Sequence, residues 1–338
     1  MNISLVITTI NKVSKNIKNF SNKCKSKKWN LFIIGDKKTP KNFKINYGNY
    51  LSIKKQIKTN FIFSKICPKN NYGRKNIGYL LSIKNKAEFI VETDDDNIPK
   101  KNFFNNISLE HKVSKIKNNS WINIYDLFTK KKTNLIWPRG LPLDELNKNK
   151  IKITKKKYSK KFFLQQGVAE KNPDVDAIYR LMNSNINVKF KNYKVDLGKS
   201  ISTFNSQNTI WHKSLFELMY LPMTCTMRCT DIWRSLIALK ILRLNKMNIL
   251  FFGTTMYQER NYHDLMLDFK QELPMYENNK FIFNTLEKIN LKKGKQYFSY
   301  NIKKCYLELI KKKIFDPKEL KYLNAWIADC KKLQIFVN

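Results

Sequence analysis

Three short apolar segments in the first hundred residues end in polar side chains, and this arrangement most constrains the fold. They are residues 4–9, 30–36 and 88–93, and a helix is predicted over 79–86, just before the third. Strands that alternate with helical segments are typical of a parallel, three-layer α/β sheet. The sequence therefore predicts an α/β fold whose sheet is flanked by helices.

The carboxyl ends of the three predicted strands carry the polar residues. Thr8 and Thr9 close the first strand, Asp36 follows the second, and an Asp-Asp-Asp triplet at 94–96 follows the third. Ligands of parallel α/β sheets bind at the carboxyl ends of the strands. We therefore expect these side chains to lie around one ligand site.

The acidic triplet is unusual in a chain with 26 acidic and 65 basic residues. Carboxylates crowded at a strand end repel one another unless a cation binds there. Oxygen ligands suit Mg²⁺ or Mn²⁺, which usually take one or two carboxylates plus phosphate oxygens. We predict a metal site at Asp94 and Asp96, with His263 as a further candidate ligand because polar residues surround it. An Asp-rich turn is the alternative interpretation.

Two further segments place basic residues beside glycines. Segment 71–78 precedes the predicted helix, and its backbone amides together with Arg74 and Lys75 would suit a diphosphate or a ribose. In segment 137–140, Trp-Pro-Arg-Gly, the fork of Arg139 would fit a phosphate or a carboxylate. An ordinary turn is the alternative for both segments.

The second half of the chain carries weaker signals. A helix is predicted to begin with Thr230 as its cap and Asp231 in its first turn, where the carboxylate complements the helix dipole. His111 is predicted to lie in an exposed basic helix. The Lys-rich segment 147–161 is predicted to be an exposed loop, and two helices are predicted after residue 301, the second starting at 316–319.

The formal net charge is +39. Such a charge suggests nucleic acid or an anionic membrane surface as a partner. Basic residues are spread along the whole chain, so a solvated Lys-rich surface is favoured over a nucleic-acid footprint. The six cysteines form no CxxC pair, and the opening residues lack a signal sequence. We therefore expect a cytoplasmic protein, with peripheral contact at the inner membrane face as a hypothesis.

Five motifs in series resemble those of the STELLO-type glycosyltransferases, a family known from plant Golgi proteins. The motifs lie at 91–97, 137–140, 172–181, 204–208 and 228–234. The resemblance extends from the first strand to about residue 268. Segment 147–161 and the C-terminal helices are expected to have no clear counterpart, and the membrane-anchored extension of the plant members is not expected here.

This resemblance implies a GT-A-like, Rossmann-type fold with a mixed, mostly parallel sheet and a C-terminal helical extension. It divides the chain into a donor-binding half at 1–146, an acceptor-side half at 147–268 and the extension at 269–338. The residues predicted to bind the nucleotide-sugar are Thr8, Thr9, Asp36, Arg74, Lys75, Asn76, Gly78, Asp94 and Asp95. The residues predicted to act in catalysis are Asp231, Asp176 and Arg139.

The predicted function is a glycosyltransferase that uses Mn²⁺ or Mg²⁺. It would move a sugar from a nucleoside diphosphate donor, with a UDP-sugar favoured, to a glycan or lipid-linked hydroxyl acceptor in surface glycan assembly. If configuration inverts, Asp231 or Asp176 would deprotonate the acceptor. The alternatives are a nucleotidyltransferase or sugar-nucleotide mutase, a nucleic-acid-binding module, and a nucleotide-binding protein without turnover.

Overall fold

A computed structural model describes residues 1–105, 107–129 and 135–333 and places them around one mixed sheet. Its strands are β1 (Ile3–Thr9), β2 (Asn30–Gly35), β3 (Asn49–Leu51), β4 (Phe89–Asp94), β5 (Asn97–Pro99), β6 (Glu110–Lys115), β7 (Tyr158–Lys161), β8 (Leu164–Lys171), β9 (Lys194–Asp196), β10 (Thr209–His212) and β11 (Ile249–Gln258). Its helices are α1 (Lys15–Lys27), α2 (Ile53–Ile57), α3 (Ile62–Ile66), α4 (Lys75–Lys84), α5 (Ala177–Met182), α6 (Thr230–Leu244), α7 (Leu265–Glu287), α8 (Phe298–Lys311) and α9 (Glu319–Lys332).

The strands follow the order β3-β2-β1-β4-β10-β8-β11-β9-β6-β7 across the sheet, and β5 pairs with β11 outside this path. β1 pairs in parallel with β2 and with β4, β2 pairs in parallel with β3, and β8 pairs in parallel with β11. β10 runs antiparallel between β4 and β8, so all of these strands except β10 point in one direction. The predicted α/β fold with a mixed, mostly parallel sheet flanked by helices is confirmed.

Helices cover both faces of the N-terminal strands. Because both faces are buried, the sequences of those strands are almost continuously apolar. Leu5 and Ile7 belong to the same buried cluster as Phe20 of α1, whereas Val6 between them belongs to the cluster that contains Ile77 of α4. Each such side chain contributes roughly 1.5–3 kcal/mol by leaving water. The alternation fixes which face of β1 each helix covers.

Gly78 is a packing residue of this arrangement. A Cβ atom at position 78 would lie 2.4 Å from Cγ1 of Val6, so only glycine lets α4 pack this closely on β1. Gly78 does not line the cleft described below. The prediction that Gly78 contacts the nucleotide is therefore wrong, because Gly78 lies where α4 packs against β1.

The predicted strands at 4–9, 30–36 and 88–93 correspond to β1, β2 and β4, and the predicted helix at 79–86 is part of α4, which starts earlier. The prediction for His111 is wrong, because this residue lies in β6 and is buried. Alternate residues of β6 face the core, so His111 and Val113 are both covered. The predicted cap is also wrong, since α6 has Cys229 at its N-cap while the Thr230 hydroxyl donates to the carbonyl oxygen of Thr226.

The helices after residue 264 pack onto the rest of the fold. Glu319, at the start of α9, is fully buried and accepts hydrogen bonds from the backbone amides of Met223 and Thr224. Asp329 of α9 accepts from the backbone amides of Ile62 and Phe63 at the start of α3. The predicted C-terminal helices are present as α8 and α9, and residues 334–338 of the predicted extension lie outside the described residues.

Segment 147–161 has no helix and no strand before β7, and most of its side chains are at least partly exposed. The division of the chain at residues 146 and 268 stays a prediction. Within 1–105, 107–129 and 135–333, no helix is both long enough and apolar enough to cross a membrane.

Candidate active site

The carboxyl ends of β1, β2 and β4 open into a cleft of about 440 Å³. This size suits a small-molecule ligand. The cleft lining includes nine of the residues predicted from the sequence, namely Thr8, Thr9, Asp36, Arg74, Asp94, Asp95, Asp96, Asp231 and His263. The structure therefore brings the polar strand ends and the start of α6 to one place.

Two carboxylates of the triplet have several hydrogen-bond donors. Oδ1 of Asp94 accepts from the Tyr72 hydroxyl at 2.9 Å and from Lys75 Nζ at 3.0 Å. Burial raises the pKa of Asp94, and the Lys75 ammonium opposes this rise. Oδ2 of Asp95 accepts from the Thr9 hydroxyl at 2.5 Å and from the Asn11 side-chain amide at 3.0 Å. Lys75 thus serves as the partner of Asp94, and Thr9 as a support for Asp95.

Asp96 is the exception, because one of its oxygens lacks a donor. Oδ2 accepts from Nε2 of Gln258 at 2.7 Å, whereas the buried Oδ1 has no hydrogen-bond partner within the described residues. Burial raises the pKa of Asp96 to about 7, and the charges of Asp94 and Asp95 add to the rise. An unsatisfied buried carboxylate oxygen is costly, and a bound cation would satisfy it. Asp96 and Asp94 therefore fit a Mg²⁺ or Mn²⁺ ion that also binds substrate phosphate oxygens.

The His263 ring has a carboxylate partner of its own. Among the residues that the structure describes, no three side chains of His, Cys, Asp or Glu converge as a ligand set. Nδ1 of His263 instead lies 3.3 Å from Oδ1 of Asp268. This contact engages one ring nitrogen only, and His263 lines the cleft, so its predicted ligand role stays a prediction.

Asp36 holds in place the segment at 70–71, which forms one wall of the cleft. Its Oδ1 accepts from the backbone amide of Asn70 at 2.9 Å and its Oδ2 from that of Asn71 at 3.0 Å. These bonds fix the segment that precedes α4. Asp36 therefore positions this wall. Lys38, two residues further on, also lines the cleft.

Arg74 and Asn76 serve the interior of the protein. The Arg74 guanidinium donates to Oε1 of Gln56 at 2.9 Å and to the carbonyl oxygen of Pro68 at 2.9 Å, and the side chain is buried. The side chain of Asn76 exchanges two hydrogen bonds with the backbone of Leu221. Within the described residues, the hydrogen bonds of Arg74 use four of its five N–H donors. Asn76 does not line the cleft, so its predicted contact with the nucleotide is wrong, whereas that of Arg74, which lines the cleft, stays a prediction.

Arg139 uses its donors on protein groups, mainly two carboxylates. Its Nε and Nη2 donate to Asp174 at 2.9 Å each, and its Nη1 and Nη2 donate to Asp231 at 3.0 and 3.1 Å. Nη1 also donates to the carbonyl oxygen of Arg228. Because all five donors are occupied, Arg139 positions Asp231 and does not bind a phosphate, contrary to the prediction.

This pairing keeps two buried acids ionised. Burial alone would raise the pKa values of Asp174 and Asp231, but the Arg139 guanidinium outweighs it. The pKa of Asp174 falls to about 2, and that of Asp231 also lies below its usual value. Asp231 thus presents a carboxylate, not a carboxylic acid, to the cleft.

Hydrogen bonds connect Asp231 to the acidic triplet through Ser206 and Tyr72. The Ser206 hydroxyl lies 3.1 Å from Oδ2 of Asp231 and 2.5 Å from the Tyr72 hydroxyl, which donates to Asp94. The backbone amide of Ser206 also donates to Asp231. One continuous network therefore runs from Asp94 to the start of α6.

Asp176 lies apart from the cleft. Its carboxylate caps α5 by accepting from the backbone amide of Tyr179 at 2.8 Å, and it accepts from Nε1 of Trp137 at 2.6 Å. The residue is fully buried and does not line the cleft. The structure therefore leaves Asp231 as the predicted base candidate that reaches the cleft.

The segment after β11 closes the remaining side of the site. β5 follows the triplet directly and pairs with β11, so Gln258 lies beside Asn97. This pairing brings Arg260 and Asn261 into the cleft lining. No local pattern in the sequence indicated these contacts, because the pairing joins segments about 160 residues apart.

Comparison with known proteins bears on what this cleft does. Residues 228–337 match the family model described as "STELLO glycosyltransferases". Two curated relatives from Arabidopsis thaliana are named "Probable glycosyltransferase STELLO1", 27% identical over 227 residues, and "Probable glycosyltransferase STELLO2", 28% identical over 233 residues. The predicted resemblance to the STELLO family is confirmed.

The aligned segments cover 61% and 62% of this chain but only 29% and 30% of the two STELLO proteins. The match to the STELLO family model includes all of α6, β11, α7, α8 and α9. The expectation that the C-terminal helices lack a counterpart in the family is therefore wrong. In this chain the buried Glu319 and Asp329 accept hydrogen bonds that hold α9 against the rest of the fold.

Four of the five motifs that carry the STELLO resemblance meet in the network around Asp231. Arg139, Asp174, Ser206 and Asp231 come from the motifs at 137–140, 172–181, 204–208 and 228–234, in that order. The fifth motif contains Asp94, which joins the network through Tyr72. Gly140 has φ of +94°, and a Cβ there would lie 2.7 Å from Ile232 of α6, so the turn can approach the helix.

The network predicts a measurable acid sensitivity. Because the folded-state pKa of Asp174 lies near 2, below its usual value of about 4, its ionisation stabilises the fold above about pH 4. This contribution, on the order of 2 kcal/mol, is lost as the pH falls from about 4 to about 2. We expect Asp174→Asn to lower the unfolding free energy at pH 7 and to flatten its decline over this interval. Urea unfolding at stepwise pH values measures both effects, and an unchanged decline would contradict the assignment.

Proposed function

We propose that this chain is a metal-dependent glycosyltransferase that moves a sugar from a nucleoside diphosphate to a hydroxyl acceptor. The observation that carries the proposal is the buried Oδ1 of Asp96, which has no hydrogen-bond partner among the residues that the structure describes and lies beside Asp94 in a cleft at the strand ends. The resemblance to proteins named as probable glycosyltransferases supports it.

The side chains on the two sides of the cleft would have different roles in the reaction. Asp94 and Asp96 would hold Mn²⁺ or Mg²⁺, which when bound offsets the negative charge of the diphosphate leaving group. Lys75 and Tyr72 fix the orientation of Asp94, while Asp36 fixes the wall beside Thr8 and Thr9, where the nucleoside would lie. If configuration inverts, Asp231 would accept the proton of the acceptor hydroxyl.

The finer parts of the proposal concern the substrates. A UDP-sugar is the favoured donor, and the acceptor is a glycan or lipid-linked hydroxyl in surface glycan assembly. The basic surface of the chain, with a net charge of +39, would favour an acceptor displayed on an anionic membrane.

Thermal unfolding with UDP, GDP, CDP, CMP and dTDP, each with and without Mn²⁺, tests the proposal. A nucleotide at about 100 times its dissociation constant should stabilise the fold by roughly 2.7 kcal/mol. We expect one nucleotide to do so only with Mn²⁺. In Asp96→Asn and Asp94→Asn this stabilisation should disappear, whereas Asp316→Asn, an exposed carboxylate before α9, should keep it.

The products then separate the alternatives. Transfer consumes an acceptor and releases a nucleoside diphosphate, whereas a nucleotidyltransferase releases pyrophosphate and a mutase isomerises the sugar nucleotide. Equal stabilisation of the wild type and of Asp96→Asn would contradict the metal site. Binding of the nucleotide without any turnover would indicate a binding protein.

A further inference from the structure

Two arginines line the same cleft on the side of α7. Nε of Arg228 donates to Oε1 of Glu272 at 2.8 Å, and Nη2 of Arg260 donates to Asp268. Asp268 and Glu272 are four residues apart on α7 and therefore lie on the same face of that helix. The two acids hold both guanidinium groups beside each other, and within the described residues each group has N–H donors left for a ligand.

A third arginine lies buried behind them. Arg180 belongs to α5, whose first backbone amide, that of Ala177, donates to Oε2 of Glu272 at 2.7 Å. The Arg180 guanidinium donates to the carbonyl oxygen of Pro173 at 2.8 Å and approaches Oδ1 of Asn172 at 3.4 Å. Its Nε has no partner in the described part of the chain, although the residue is only 6% exposed.

The charge of Arg180 has no carboxylate directly bound to it among the described residues. Asp176, the nearest acid in sequence, accepts from Trp137 and from the backbone amide of Tyr179, and Asp174 accepts from Arg139 and from Asn205. The neighbouring cations add to the cost, since burial together with the charges of Arg260 and Arg228 lowers the pKa of Arg180 to about 9. A buried cation without an ion-pair partner destabilises a fold.

An oxyanion bound in the cleft would compensate this charge. Arginine groups with spare N–H donors match phosphate oxygens in geometry as well as in charge. The triplet at 94–96 supplies negative charge to the same cleft, so a ligand with both a metal-bound part and an anionic part would fit its whole length.

We propose that Arg228 and Arg260 form an oxyanion subsite that receives a phosphate group of a substrate, and that the charge of Arg180, which does not line the cleft, adds to the attraction from behind them. The inference rests on the proposed function only for the source of the phosphate, which is either the donor diphosphate or a phosphorylated acceptor. The subsite itself predicts binding of inorganic phosphate and pyrophosphate without any metal.

Calorimetric titration of pyrophosphate into the metal-free protein tests the subsite. Charge-assisted hydrogen bonds are worth about 1.5–3 kcal/mol, so Arg260→Gln is expected to weaken binding about 10- to 100-fold. Lys38→Gln is the matched control, because Lys38 is a cation of the cleft lining at the Asp36 end. The pyrophosphate affinity of Lys38→Gln should differ from that of the wild type by less than about threefold. Equal weakening in both variants, or in neither, would overturn the subsite.

Arg180→Gln separates binding from packing. If the buried charge serves the ligand, this variant should lose pyrophosphate affinity while its melting temperature without ligand stays equal or rises, because an unpaired buried charge is removed. A lowered melting temperature with unchanged pyrophosphate affinity would show that Arg180 is structural and would overturn its part in the subsite.

A final comparison identifies the source of the phosphate. If Arg260→Gln weakens UDP with Mn²⁺ by the same factor as pyrophosphate, the subsite receives the donor diphosphate. If UDP binding with Mn²⁺ is unchanged while inorganic phosphate is weakened, the subsite receives a phosphorylated acceptor. Both results support the subsite, and neither depends on Asp96→Asn, whose effect on metal-dependent binding tests the proposed function separately.

Discussion

Replacing Glu92 by Gln is expected to lower the free energy of unfolding by about 3–5 kcal/mol. Glu92 is fully buried in β4, and its two oxygens accept from Arg234 of α6 at 2.8 and 3.0 Å. They also accept from Nε1 of Trp211 and from the Tyr79 hydroxyl. A neutral amide would leave the Arg234 charge uncompensated in the core, and its NH₂ group would face other donors. Equilibrium urea unfolding measures the loss.

An exposed ion pair provides the matched control for this change. Asp144 contacts Lys280 at 2.6 Å, but the Asp144 side chain is 57% exposed. Because water screens this pair, Asp144→Asn should leave the unfolding free energy nearly unchanged. Replacing Glu92 and Arg234 together by methionines should recover much of the lost stability, since no unpaired charge remains. A mild effect of Glu92→Gln would contradict the buried ion pair.

The Glu92–Arg234 pair also supports the site. Asp94 follows Glu92 by two residues at the end of β4, and Asp231 precedes Arg234 by one turn of α6. The ion pair therefore ties the acidic triplet to the helix that carries Asp231. Glu92→Gln should accordingly weaken nucleotide binding with Mn²⁺ as well as stability, although Glu92 does not line the cleft.

Local pattern was enough to predict the scaffold of the site. Apolar runs of strand length and the helix between them identified β1, β2, β4 and α4, and the rule for parallel sheets placed Thr9, Asp36 and Asp94 at one edge. These features depend on neighbouring residues and on the period of the strand. They required no knowledge of which distant segments pair.

The partners of charged residues could not be predicted in the same way. Arg139 and Asp231 are 92 residues apart, and Arg74 and Gln56 are separated by 18. The sequence predicted both arginines as phosphate candidates because it shows a charge but not the groups to which each guanidinium already donates. Tyr72 and Ser206 were missed for the same reason, since a hydroxyl has no signature until its partners are known.

Asp231→Asn is expected to lower kcat/KM by about 10²- to 10⁴-fold, the usual range for loss of a general base. The carboxylate lines the cleft, and its Oδ1 has Arg139 as its partner within the described residues. Binding of the nucleotide with Mn²⁺ should stay within about threefold of the wild type, because Asp94 keeps its direct hydrogen bonds from Tyr72 and Lys75. Hydrolysis or transfer of the sugar nucleotide found in the thermal panel provides the rate.

Asp176→Asn distinguishes between Asp176 and Asp231, the two carboxylates predicted from the sequence as candidate bases. Because Asp176 caps α5 away from the cleft, its loss should cost about 0.5–2 kcal/mol of stability with little change in kcat/KM. The pKa of Asp231 is held low by Arg139, so this group stays ionised from pH 5 to 8 and adds no acid limb to the wild-type rate profile there. An acid limb that vanishes in Asp231→Asn would contradict that ionisation, and equal rate losses in both variants would contradict the assignment of Asp231.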